Sequence, residues 1–236
     1  RGLFHTARIK KVGLTFRISL EAMYAPIPDE KKTFMLQSTD EIAAPDEELA
    51  TVFGSTEDQT IDDVTFPGGV WDTDFFPLAV PQLTVGSFLG TQVTLRYFSY
   101  ENDDIGKIEL SGFGIQHSIS QYIPLSPVDI SAGYYSQNFA VGDNIEADAS
   151  YIGLQISKSL GILTVFGGIG SESSSLDIHY EHETNDGTQD VDFSMDGENA
   201  TSTTLGVGLD FWILKLHGSY TAASQEVYSF GVALGI

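Results

Sequence analysis

The sequence predicts an all-β protein: an up-and-down antiparallel transmembrane β-barrel of about ten strands with long extracellular loops. Three observations predict it. Apolar residues alternate with small or polar ones at a period of two along most of the chain. Acidic residues collect in a few segments: 28 of the 33 fall in 26–81, 171–201, 101–106 and 137–148. Connections between the alternating stretches are short and long in turn, which puts tight turns at one barrel end and long, acidic segments at the other.

The elements follow in order. Leu14, Phe16, Ile18, Leu20, Ala22 and Tyr24 share one face of a strand over 12–25, and Thr15, Arg17, Ser19 and Glu21 share the other. Residues 26–81 then carry 13 carboxylates and many apolar side chains. Structureless loops above about 15 residues are uncommon, so this stretch is expected to fold as a lid or a partner surface. Its candidate lid residues are Phe34, Phe53, Phe66, Trp71, Phe75 and Phe76.

Strands are expected over 80–89, 91–100, 107–122, 127–137, 148–159, 161–171, 201–211, 213–222 and 226–236. The alternation slips near Gly112 and Gly114, where a bulge or kink is expected. In the last strand Tyr228, Phe230, Val232, Leu234 and Ile236 oppose Ser229, Gly231, Ala233 and Gly235, which suits a seam at a periplasmic rim. The domain reading is one barrel over 1–236, with 26–81 and 171–201 as long outer loops or lid.

A soluble sandwich would alternate too. It would turn its apolar stripe inward and scatter charge on the other face. Here the face opposite the apolar stripe is mostly Gly, Ser, Thr and Ala, so the stripe is read as facing lipid.

Composition excludes several activities. A formal charge of −22 argues against nucleic acid, whose phosphates need Lys and Arg. The absence of cysteine removes disulfides, thiolate zinc and a cysteine nucleophile. No apolar run reaches the roughly 18 residues of a membrane helix.

Certain strings go further: Ala25 to Phe34 (APIPDEKKTF), Ala50 to Gly54 (ATVFG), Phe66 to Val70 (FPGGV), Gln82 to Phe98 (QLTVGSFLGTQVTLRYF) and Gly112 to Ile130 (GFGIQHSISQYIPLSPVDI). Through them the chain resembles an uncharacterised family of outer-membrane β-barrels of Bacteroidetes and related bacteria, and more distantly the long-chain fatty-acid transporter barrels. The resemblance implies fold and an outer-membrane location, and no activity. Such proteins begin with a signal peptide. This chain opens at Arg1 without one, so processing or a missing N-terminal piece is expected, and a helical plug in such a piece would close the lumen.

The residues expected to line the lumen are Arg17, Glu21, Arg96, Asp129, Gln155, Asp210, Lys215 and His217. Unpaired charge is costly in a narrow lumen, so one reading is a paired network that fills the barrel. The other is a polar lining for a permeating solute. Asp177, His179 and Glu181 alternate on one strand face, which is weak evidence for a metal. Asp186, Asp190, Asp192, Asp196 and Glu198 offer calcium hard oxygen ligands without the EF-hand order. No other cofactor is expected. No Gly-x-Ser-x-Gly elbow occurs, and an enzyme is not expected.

Two functions compete. One is passage or capture of a small apolar solute beneath the lid. The other is a non-transporting structural or interaction barrel whose acidic loops dock a surface protein or polymer. Expected partners are outer-membrane lipid and lipopolysaccharide.

Overall fold

Ten antiparallel strands form a closed ring in the computed structural model. It describes residues 2–35, 48–51, 53–61, 64–66, 68–69, 72–102, 106–142, 145–184, 187–197 and 200–236; residues 64, 102, 178–184 and 187–193 are described by their backbone alone. The ring strands are β1 (Val12–Pro26), β6 (Phe75–Phe88), β7 (Thr91–Asn102), β8 (Gly106–Ser118), β9 (Asp129–Val141), β10 (Ile145–Leu160), β11 (Leu163–Thr184), β13 (Ala200–Phe211), β14 (Leu214–Ala222) and β15 (Val227–Gly235). Each pairs with its neighbours in that order, and β15 returns to β1. The seam is held by Phe16 N–H to the Ile236 carbonyl at 3.2 Å and Ile236 N–H to the Phe16 carbonyl at 3.1 Å. Closure leaves no open edge in the ring.

The faces are assigned as the alternation predicts. Leu14, Ile18, Leu95, Ile152, Leu154, Leu205, Val207, Phe230 and Val232 are exposed on the outer surface. Thr84, Thr94, Gln116, Ser131, Gln155, Ser157, Ser202, Thr221 and Ser229 are buried inside. This is a water-soluble protein's arrangement turned inside out.

Tight turns occupy one end. Leu89 and Gly90 both have positive φ, 50° and 74°, the backbone of a hairpin turn whose twist matches its strands. At the other end the strands extend into the short acidic segments 101–106 and 137–148. Asn102 pairs with Gly106 and Ile145 with Val141, which puts Glu101, Glu146 and Asp148 on strands. The third, 171–201, continues β11 past the ring into a hairpin with β12 (Gly187–Asp196).

The bulge expected at Gly112 and Gly114 is not there. β8 pairs in unbroken register with β7 and β9 through both glycines. The apparent slip arises because Leu110, an apolar residue, is buried on the inner face. The register shift falls instead between Gly86 and Phe88 in β6.

Contacts divide the chain into two compact units: Arg1–Met23 with Ala79–Ile236, and Tyr24–Leu78. The second nearly coincides with the segment read as loop or lid, and it is more than loop. It holds a hairpin of β2 (Thr33–Met35) with β3 (Glu48–Ala50), another of β4 (Gln59–Ile61) with β5 (Val64–Phe66), and a 3-10 turn at Asp29–Lys31. Lys32 binds Asp74, and lies 3.3 Å from Asp29; these carboxylates, Asp74 first, hold its ammonium above the ordinary lysine pKa.

Candidate functional site

The inner face gathers most of the predicted lumen residues into one polar system. Period-two alternation puts Arg17, Glu21, Arg96, Gln155 and His217 inward, and strand register decides their partners. Glu21 and His217, each almost wholly buried, meet at 2.8 Å. Gly231 lies directly across from His217, and a Cβ there would overlap both the imidazole and the Glu21 carboxylate. Glycine makes the room that this pair needs. Asp210 and Lys215 face each other in register and pair at 2.8 Å near the tight-turn end. Asp129 is half-buried opposite Ser157, with no ion pair among the described residues.

Neutral amides extend the system. Arg96 donates through Nε to Gln82 at 2.7 Å and through Nη1 to Gln137 at 2.7 Å. Gln92 donates to Gln116 at 2.6 Å, Gln116 to Ser131 at 2.6 Å, and Ser131 to Gln155 at 3.1 Å. Buried polar groups are tolerated because they are hydrogen-bonded.

What sequence reasoning missed is the occupant. Residues Gly2–Ile9 lie inside the ring, with Phe4, His5, Ala7 and Ile9 buried. Ring strands hold them from several sides. Arg96 of β7 donates to the Gly2 carbonyl, and Arg17 of β1 donates to His5 Nε2 at 2.9 Å. Gln116 of β8 donates to the Thr6 carbonyl at 3.0 Å, and the Ala7 N–H donates to Ser157 of β10 at 2.9 Å. Phe4 packs edge-on against Phe166 of β11, centroids 6.1 Å apart, above Gly168, where a Cβ would come within 2.7 Å of its ring. The available signal was faint: a carboxylate-free stretch ahead of the first alternating residue. Residues Gly2–Ile9 themselves occupy the ring, and none of them is helical.

Inner aromatics narrow the remaining space. Tyr135 and Tyr151 approach to 6.1 Å between centroids and sit over glycines, Tyr135 over Gly114 and Gly133, Tyr151 over Gly153 and Gly170. Cavities remain among the described residues. One of about 380 Å³ at the tight-turn end is lined by His5, Arg8, Lys10, Arg17, Asp210 and Lys215 among others. One of about 210 Å³ is lined by Leu3, Tyr135, Gln137, Tyr151, Glu172 and Gln225 among others.

The lid candidates belong to the second unit. Phe53 and Phe76 pack edge-on at 6.1 Å, Phe75 stacks on Tyr24 at 4.9 Å, Phe34 is exposed in β2, and Phe66 ends β5; Trp71 lies outside the described residues. Of the calcium candidates, Asp186 and Glu198 lie outside the described residues, Asp190 and Asp192 are placed by backbone alone, and Asp196 is exposed. Among the described residues no three metal-binding side chains come together.

No match is found among curated proteins. Among solved structures, a loop-deletion mutant of OmpT, an outer membrane protein of Vibrio cholerae, is similar at 17% identity over 67% of this chain, with a TM-score of 0.31. This chain spans about half of it, 54%. A mutant porin of Rh. blastica is similar at 9% identity over 95% of this chain and 99% of its own, with a TM-score of 0.23. Across residues 1–236 the sequence matches the model of a family of unknown function, DUF6588, and the chain belongs to that family.

Proposed function

We propose that this chain is an outer-membrane barrel of a Gram-negative bacterium, closed at rest by its own residues Gly2–Ile9, and that it serves as a structural or interaction barrel rather than an open pore or an enzyme. The observation that carries the reading is that segment's set of hydrogen bonds to β1, β7, β8 and β10. Membrane placement is supported by the inverted faces and by strand length. Ring strands of 9 to 22 residues meet the roughly 9–11 that a tilted spanning strand needs. The resemblance to barrels of Bacteroidetes agrees with such a source.

Planar-bilayer recording tests closure. The intact chain is expected to be silent, and a variant lacking residues 2–9 to conduct. Steady current through the intact chain would sink the proposal.

The two cavities favour a second reading, passage once the segment moves aside. Their walls are largely Ser, Thr, Gln, Arg and Lys, chemistry suited to a polar solute. Capture of an apolar solute, as in the distantly similar fatty-acid transporters, would draw instead on the aromatics of Tyr24–Leu78. Silence from both the intact and the shortened chain would remove passage of either kind.

The acidic segments supply the outward chemistry of the interaction reading: docking of a surface protein, or calcium bridges to lipopolysaccharide phosphates. Support is the gathering of 28 of 33 carboxylates into four segments. Calcium is expected to slow protease cleavage within 171–201; identical digestion with and without chelator would discard the bridge.

A further inference from the structure

The cavity at the tight-turn end has the wrong sign for this protein. The chain carries 33 acidic and only 11 basic side chains. Yet Arg8, Lys10, Arg17 and Lys215 all line one space of about 380 Å³, and Asp210 is the only acidic side chain among its described lining residues. Asp210 is already spent, paired with Lys215 at 2.8 Å and accepting from Thr164 at 3.1 Å. Arg8, Lys10 and Arg17 make no ion pair among the described residues.

Arg17 matters most. Among the described residues its side chain makes one hydrogen bond, to His5 Nε2 at 2.9 Å. Glu21, two turns of the alternation along the same inner face, is engaged with His217. Glu21 and Asp210 act on the Arg17 guanidinium without bonding it, and a half-buried guanidinium with no directly bonded carboxylate gains from a counter-charge at contact distance. Its planar fork suits two oxygens of one anion. Hydroxyls complete the wall: Thr15, Thr84, Ser159 and Ser87, whose buried Oγ has no partner among the described residues.

We infer that this cavity is a binding site for a small oxyanion, a carboxylate or phosphate compound held by Arg17 and drawn in by Arg8 and Lys10. The cavity size falls within the range of small-ligand sites, about 300–1,000 Å³. The inference does not rest on conduction, because the site opens at one end and is complete with the N-terminal segment in place.

The test is calorimetry on the whole chain in neutral detergent at low salt. Succinate and inorganic phosphate are the probes, and succinamide is the uncharged control. Saturable binding of either anion, weakening as salt rises, is expected, with succinamide silent; which anion binds tells carboxylate from phosphate. Arg17→Gln is expected to weaken binding about tenfold or more, the loss of hydrogen bonds to a charged group. Arg8→Gln and Lys10→Gln, both at exposed positions, each weaken it about two- to fivefold. Asp210→Asn, which removes the competing carboxylate, tightens it. Absence of saturable binding by both anions, equal binding of succinamide, or affinity unmoved by Arg8→Gln and Lys10→Gln would overturn the proposal, and those two exposed positions keep it decidable should Arg17→Gln fail to fold.

Discussion

Glycine at the inner face acts here through the space it leaves. Gly231 admits the Glu21–His217 pair and Gly168 admits the ring of Phe4. A side chain at either position would displace something that cannot easily move. Gly168→Leu is expected to evict Phe4 from Phe166 and loosen the whole N-terminal segment, at a cost of about 1–3 kcal/mol. Limited trypsin digestion checks it, since cleavage after Arg8 should speed up while the ring stays folded; unchanged cleavage would mean that Phe4 is not an anchor. At this scale the sequence was partly legible. Period two alone sends Arg17, Glu21, Arg96, Gln155 and His217 inward, because a strand offers only two faces. It cannot say that His217 meets Glu21, a partner 196 positions away, because that depends on which strands adjoin across the seam.

Strands proved longer than their apolar patterns. β11 runs from Leu163 to Thr184, well past the last alternating apolar residue, and its far half pairs with β12. The reason is physical: hydrophobic alternation marks only the part of a strand whose two faces meet unlike surroundings, whereas backbone pairing continues wherever two strands stay adjacent. Acidic residues beyond the apolar belt therefore look like loop in sequence and form ladder in structure. The N-terminal segment was illegible for the opposite reason, since it follows no period and is held by side chains from the ring. Ring pairing of β10 with β11 ends at Ile145 and Ile178. Replacing residues 179–192 by a two-residue turn is thus expected to leave unfolding within about 0.5 kcal/mol of the intact chain. Urea titration in micelles measures this; a large loss would show that the hairpin supports the ring.

For the whole molecule, the direction of each face outweighs any single contact. Leu154 is 54% exposed and Gln155, the next residue, 1%. In a bilayer Leu154→Lys is expected to cost about 2–4 kcal/mol near the midplane and little in micelles loose enough to wet it. Unfolding measured in lipid vesicles of defined thickness checks the difference; an equally small cost in both would place this face outside hydrocarbon.

The seam has a temporal side. Phe16 binds Ile236, so the earliest ring strand is completed by the latest one. Until β15 is made, β1 and β14 each present a row of unsatisfied amides and carbonyls, which hydrocarbon tolerates poorly. On the outer-membrane reading proposed above, insertion therefore awaits β15, and the nascent chain has to be kept from sticking to its siblings in the meantime. Such long-range closure is slow by nature, so assembly rate, more than final stability, is where this architecture is most vulnerable.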